Sequence, residues 1–204
     1  MIALEIRDRL WVARIMRPDK ANALTRTMLV ELAEIAERAH GKAGALVLTG
    51  EGRVFSAGAD LDEARAGLAT DPVWERLSGA IASLPCLTIA ALNGTLAGGA
   101  FGMALACDQR IATPDARFFY PVMRLGFLPQ SSDPARLVAL VGPARARMIL
   151  MAGQKIEAAE ALAWGLIDRV APPAALLILA ETLAADSLAA TADHAASIKR
   201  MTKG

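Results

Sequence analysis

Apolar positions recur along the chain at two periods, and the switches between them mark strands from helices. Residues 4–7 and 10–15 read as two short strands around Asp8-Arg9, a hairpin with β-branched residues in its second arm. A polar loop follows Arg17-Pro18. Thr25 can then cap a helix whose Met28, Leu29, Leu32, Ile35, Ala36 and Ala39 fall at helical spacing, with Gly41 as stop signal. Residues 45–49, ALVLT, form a continuous apolar run that predicts a buried strand ending at Gly50.

A second cycle repeats the order. Residues 87–92 predict a strand, Asn93-Gly94 a turn and residues 100–106 a buried helix, with shorter strands over 110–112 and 117–120. Beyond Pro129 the period becomes helical over 134–141 (behind the capping group SSD), 144–152 and 157–164, the last ending at Gly165. Residues 166–170 return as a short strand, and an Ala/Leu-rich helix runs from 174 to about 190. From Thr191 the periodicity is weak. Successive strand-strand-helix units with a late helical section predict an α/β or α+β domain and exclude a helix bundle.

Composition narrows the function classes. The 204 residues carry 22 Lys+Arg against 21 Asp+Glu, a net charge of +1 that gives no footprint for nucleic acid or an anionic membrane. Charges at Glu5, Arg7, Asp8 and Arg9 interrupt the start where a signal peptide needs an apolar stretch, so a cytoplasmic protein is expected. Residues 77–107 lack any charge and are long enough to span a bilayer, but Pro85, Asn93, Gly94, Gly98, Gly99 and Gly102 break them into shorter elements. Cys86 and Cys107 read as buried thiols in a reducing compartment. No metal is expected, since His40 and His194 lie far apart and outside any ligand spacing.

Two glycine-rich bends each follow a strand and precede a helix: residues 55–61 (FSAGADL) and 93–100 (NGTLAGGA). Small residues there let backbone N–H groups face a ligand unobstructed. A converging pair of such donors can hold negative charge developing on a carbonyl oxygen. Either bend alone would equally serve as a tight turn ahead of a packed helix.

In order, RPDKANAL (17–24), ALVLTGEGRVFSAGADL (45–61), IAALNGTLAGGAFGMALACD (89–108), LGFLP (125–129) and AAEALAWGLIDRV (158–170) resemble the enoyl-CoA hydratase/isomerase family, also called the crotonase superfamily. The resemblance covers nearly the whole chain to Val170. It implies an α/β fold, a crotonase-like spiral of ββα units over residues 1–170, followed by a shortened C-terminal helical and oligomerisation region over 171–204. It further implies an acyl-CoA lyase, isomerase or hydrolase of fatty acid metabolism, with coenzyme A entering only as part of the substrate and no separate cofactor. Two backbone N–H groups would stabilise an enolate-like oxyanion, and they match Ala59 and Gly99. The substrate would be lined by Lys20, Ala21, Ala57, Asp60, Leu61, Tyr120, Val122 and Gln130. A homo-oligomer, a trimer or dimer of trimers, is expected. An apolar face on the helix over 174–190 would support it.

The departures from the family are as informative. The two glutamates of a water-adding member match Gly102 and Val122 here, so a standard hydratase is not expected. The polar stretch 129–134 (PQSSDP) replaces the family's glycine-rich turn. Asp133 becomes an acid or base if its carboxyl group turns inward and is desolvated; the simpler reading of an Asp before Pro at a helix start is an N-cap. Asp60 and Asp62 read as caps of the next helix, and Asp108 as a turn residue. Without a His near Ser56 or Ser131 a Ser-His-Asp hydrolase has no support. The alternative to an enzyme is a catalytically silent acyl-CoA-binding or assembly protein.

Overall fold

The computed structural model describes residues 1–202; Lys203 and Gly204, the end of the expected C-terminal region, lie outside the described residues. The chain opens with the hairpin β1 (Ile2–Arg7) and β2 (Leu10–Ile15), antiparallel with Arg7 opposite Leu10 and Asp8 in a left-handed turn at φ 54°. The Thr25 hydroxyl accepts the Met28 N–H at 3.2 Å and starts α1 (Arg26–Ala39). Its Leu29 and Leu32 are fully buried, each stabilising the fold by roughly 1.5–3 kcal/mol.

From there one pattern repeats. β3 (Ala45–Gly50) and β4 (Val54–Ser56) precede α2 (Leu61–Arg65) and α3 (Val73–Ser83); β5 (Leu87–Leu92) and β6 (Thr95–Ala97) precede α4 (Phe101–Ala106); β7 (Gln109–Ala112) and β8 (Arg117–Phe119) precede α5 (Val122–Leu125) and α6 (Asp133–Leu150). Each cycle adds one strand to each of two sheets and then crosses back through helices, the spiral that the resemblance implies. The first sheet has the order β1-β2-β3-β5-β7-β10 and the second β4-β6-β8-β9, closed by β9 (Ile156–Glu157) and β10 (Arg169–Val170) on either side of α7 (Ala158–Trp164). Ala45 stands beside Leu87 and Ile89 beside Gln109, all parallel. Parallel strands covered on both faces read as unbroken apolar runs, and every residue of β3 is buried.

The uncharged stretch 77–107 folds into the second half of α3, β5, β6 and α4, and most of it is buried in the core. Among the described residues no single helix is long and apolar enough to cross a membrane. The pair of helices expected over 134–152 forms α6, kinked where Gly142 takes φ 77° ahead of Pro143. Residues 166–170 yield only the two-residue β10.

Two expectations about the C-terminal region need correction. The helix over 174–190, α8 (Leu176–Ala189), does not leave its apolar face open: Leu176, Ala180 and Ala184 lie on the first sheet against Leu10, Val47, Ile89 and Ile111. The sheet has a second apolar face of its own, and α8 covers it. The weakly patterned tail is also a regular helix, α9 (Ala192–Met201), capped by Thr191. Its Lys199 ammonium reaches Asp108 at 2.7 Å and donates to the Cys86 carbonyl at 2.8 Å. Cys86 and Cys107 are both buried, and burial pushes the Cys107 thiol up to about 12.

Candidate active site

The first bend is held by a ladder to the loop before α1. Ala57 N–H donates to Ala21 O (3.0 Å), Leu24 N–H to Gly58 O (2.8 Å), and Asp60 N–H to Leu24 O (2.8 Å). Leu24 thus bridges the groups on either side of Ala59, in a parallel β-bridge. In that geometry the intervening residue turns its own N–H away from the bridging strand, and the Ala59 N–H has no acceptor among the described residues. Buried Asn22 fixes the loop from behind, accepting from Arg17 N–H and donating to Glu51 O and Val54 O. Ser56 donates to Asn22 O and accepts the Gly58 N–H.

The second bend follows β6. Gly58 has φ +93°, and a Cβ there would come within 2.9 Å of Ala97 O and 3.4 Å of Gly99 N, so the two bends lie directly against each other. A Cβ on Gly99 would meet the Trp74 ring at 3.2 Å. That ring is anchored, because its indole N–H donates to Leu68 O at 2.8 Å. The Gly99 N–H also lacks an acceptor among the described residues. Ala59 and Gly99 line one cavity of about 250 Å³, together with Ala57, Leu61, Trp74, Tyr120, Val122 and Gln130.

Lys20, Ala21 and Asp60 do not line it. Lys20 is exposed, on a single helical turn ending in Ala21, whose φ of 50° is left-handed. Asp60 caps α2 through the Asp62 and Glu63 N–H groups and pairs with Arg17 at 2.8 Å. That guanidinium holds the Asp60 carboxyl below its ordinary range.

Asp133 is not a helix cap. It is the first residue of α6, its carboxyl accepts no backbone N–H, and the preceding Ser132 N–H and hydroxyl donate instead to Glu75 of α3 at 2.9 and 3.1 Å. The side chain points inward, 1% exposed, where Oδ2 accepts from the Tyr120 hydroxyl at 3.0 Å and Oδ1 has no partner. Burial pushes this carboxyl up to about 7; the Tyr120 hydrogen bond opposes the rise, Glu75 adds to it and Arg136 opposes it. Tyr120 is pushed up as well, by burial first and then by the neighbouring Asp133 charge.

The carboxyl lies over Gly102. A Cβ on that glycine would stand 3.0 Å from Asp133 Oδ1 and 3.5 Å from Oδ2. Where the resemblance puts a glutamate on α4, the space is filled by a carboxyl group arriving from α6. Nothing local in the sequence signals this, since Asp133 and Gly102 are far apart along the chain. Trp74 was also missed as a lining residue, although Val73, Trp74, Leu77 and Ile81 carry the helical spacing that would have predicted α3.

Comparison with known proteins gives this geometry its setting. A probable enoyl-CoA hydratase of Rhodobacter capsulatus is 40% identical over 176 residues, covering 84% of this chain and 68% of the relative. The 4-chlorobenzoyl coenzyme A dehalogenase-2 of an Arthrobacter species is 36% identical, covering 83% of this chain and 65% of its own length. The chain thus spans about two thirds of the curated relatives it matches. The crystal structure of an enoyl-CoA hydratase/isomerase from Pseudoalteromonas atlantica superposes with a TM-score of 0.91 at 30% identity, covering 98% of this chain and 81% of that one. The family model for enoyl-CoA hydratase/isomerase matches residues 5–203. With the spiral, the paired bends and this match over nearly every residue in agreement, the chain belongs to the enoyl-CoA hydratase/isomerase family.

Proposed function

We propose that the protein binds an acyl-coenzyme A thioester with its carbonyl oxygen between the Ala59 and Gly99 amides, and stabilises enolate-like charge on that oxygen. The observation that carries this reading is the pair of acceptor-free N–H groups on one cavity wall. A thioester α-hydrogen becomes acidic as its carbonyl charge is stabilised, and a preorganised donor of this kind contributes about 3–4 kcal/mol. The apolar wall formed by Leu61, Trp74 and Val122 suits an acyl group. Lys20 is exposed on the loop laced to the first bend, and its ammonium would suit the nucleotide phosphates of a coenzyme A thioester.

Standard hydration is disfavoured. Adding water across a double bond calls for an acid and a base beside the β-carbon, and Val122 lines the cavity where one of the family's glutamates is expected. The other position, Gly102, has no side chain. Isomerisation, hydrolysis or decarboxylation of a thioester remains within reach of a site that stabilises an enolate. These same two positions also favour a second reading, an acyl-CoA-binding or assembly protein without turnover.

Calorimetry with a non-reactive acyl-CoA and a turnover panel of acyl- and enoyl-CoAs separate the two. Binding with turnover supports the enzyme and binding without turnover the silent protein. Absence of binding overturns both. Self-association as a trimer or dimer of trimers belongs to the same family reading and no longer draws support from α8. A monomer in light scattering at micromolar concentration would overturn it.

A further inference from the structure

We infer that Tyr120 is the residue that exchanges a proton with the bound thioester, and that Asp133, seated over Gly102, is the positioning residue that takes the proton from behind it. This rests on the thioester reading above and deepens it by naming the group that moves the proton.

The geometry is a two-step path. Tyr120 lines the cavity and Asp133 does not, while their oxygens are 3.0 Å apart. The Tyr120 ring stacks on buried Phe101 with centroids 5.3 Å apart, and its hydroxyl receives the Gln130 N–H at 3.4 Å, so the O–H is directed at the carboxyl. Asp133 Oδ1 is buried without a partner. An unpartnered buried oxygen is costly, and it is the atom that glycine at 102 leaves room for.

Phenol and carboxylate together can do what a lone phenol does poorly. As the α-C–H bond breaks, its electron pair moves onto the thioester oxygen held by the two amides. The released proton passes to Tyr120 Oη while the Tyr120 proton passes to Asp133 Oδ2, leaving a neutral phenol and a neutral carboxylic acid. Reversal returns the proton, and no other reactant is consumed. Burial would make a free tyrosinate unfavourable, and the relay avoids forming one. The groups facing Asp133 are Tyr120 after β8, Glu75 of α3 and Arg136 of α6; α4, FGMALA, carries no charge. Burial, aided by Glu75 and opposed by Tyr120 and Arg136, brings the carboxyl into the neutral range, where it can accept and return a proton.

The test is exchange of the α-hydrogens of butyryl-coenzyme A in deuterium oxide, followed by proton NMR, with binding measured separately by calorimetry. Wild-type protein is expected to bind and to exchange, at a rate that rises with pH through about 7. Tyr120→Phe should lose about 10²–10⁴-fold in exchange while binding within about threefold. Asp133→Asn should exchange slowly and lose the rise near pH 7, which a merely structural role would not remove. Gly102→Ala, whose added methyl group crowds the Asp133 carboxyl first, should bind normally and exchange more slowly.

Binding with undiminished exchange in Tyr120→Phe overturns the inference. So does binding by the wild type without exchange, which leaves thioester binding standing. A wild type that binds no thioester overturns the reading and the relay with it. If Tyr120→Phe fails to fold, the pH profile of Asp133→Asn decides: a persisting rise near pH 7 overturns the relay, and its loss supports it.

Discussion

The two walls of the cavity are built on opposite principles. One is backbone: the amides of Ala59 and Gly99 take their direction from the Leu24 bridge and from two bends pressed together, where a side chain on Gly99 would meet the Trp74 ring. The other is side chain: Tyr120, after β8, faces the cavity and is backed by Asp133 at the start of α6, and the two meet only through tertiary packing. A backbone wall keeps its function so long as the fold and small residues are kept. A side-chain wall can be rebuilt piecemeal. Here Gly102 and Val122 stand where the resemblance puts glutamates, and a carboxyl group from elsewhere lies against Gly102.

The largest expected effect lies on the side-chain wall and is read as stability. Asp133 has its folded-state value raised from 3.8 to about 7. Between those limits the unfolded chain has released a proton that the native state retains, so stability falls as pH rises from about 4 to about 7 and is flat above. At about 1.4 kcal/mol per pH unit the fall amounts to as much as roughly 4 kcal/mol. Urea denaturation across that range should show it. Asp133→Asn should remove most of the slope, and an unchanged slope in the variant would show that another group titrates.

The backbone wall gives the next effect, read in the reaction. Proline has no N–H, and the Ala59 N–H makes no bond within the protein. Ala59→Pro should therefore reduce turnover of any thioester substrate by about 10²–10³-fold, measured per folded molecule with the folded fraction read by circular dichroism. Unaffected turnover would separate this amide from the chemistry and leave the wall with one donor.

Gly102→Ala is smaller and joins the two walls, because α4 starts directly from the Gly99 bend. A methyl group 3.0 Å from Asp133 Oδ1 should cost about 1–3 kcal/mol as the carboxyl is pushed from its seat. In the double variant Gly102→Ala/Asp133→Ala much of that cost should disappear, since the new methyl group would meet no carboxyl. Additive losses would mean the crowding is with something else.

The same contrast explains what was legible in the sequence. The long elements announced themselves: β3 and β5 as unbroken apolar runs, α1 by its spacing and by Thr25, α7 by Gly165. So did the backbone wall, because local small-residue bends carry it. β4 and β6 did not, since they run into the small-residue stretches 55–61 and 93–100 that read as bends. Asp-Pro at a helix start is locally indistinguishable from a cap, so the sequence leaves the inward-facing carboxyl of Asp133 as the less simple of two readings. The carboxyl instead accepts from Tyr120 while the Ser132 N–H and hydroxyl donate to Glu75 of α3, long-range contacts that no local pattern carries. The face of α8 was misassigned for a related reason, as a sheet's second face leaves no mark on the helix that covers it.

The smallest effect tests how firmly the backbone wall is held. Asp60 follows Ala59 and performs two tasks with one carboxylate, capping α2 through the Asp62 N–H at 3.1 Å and the Glu63 N–H at 3.4 Å, and receiving Arg17 at 2.8 Å. Asp60→Ala should cost about 1 kcal/mol, the usual worth of a cap. Asp60→Asn keeps an acceptor for the cap and loses the ion pair, and since both partners of that pair are partly exposed it should cost less. The depressed carboxyl gives the pH sign: the contribution is present above about 4 and fades as pH falls through the folded-state value, opposite to Asp133. Because Arg17 also donates to Ala23 O, the pair ties the loop before α1 to the residue beside the Ala59 amide. If Asp60→Asn alters thioester affinity more than stability, the direction of that amide depends on Arg17; if both change equally little, the Leu24 ladder alone sets it.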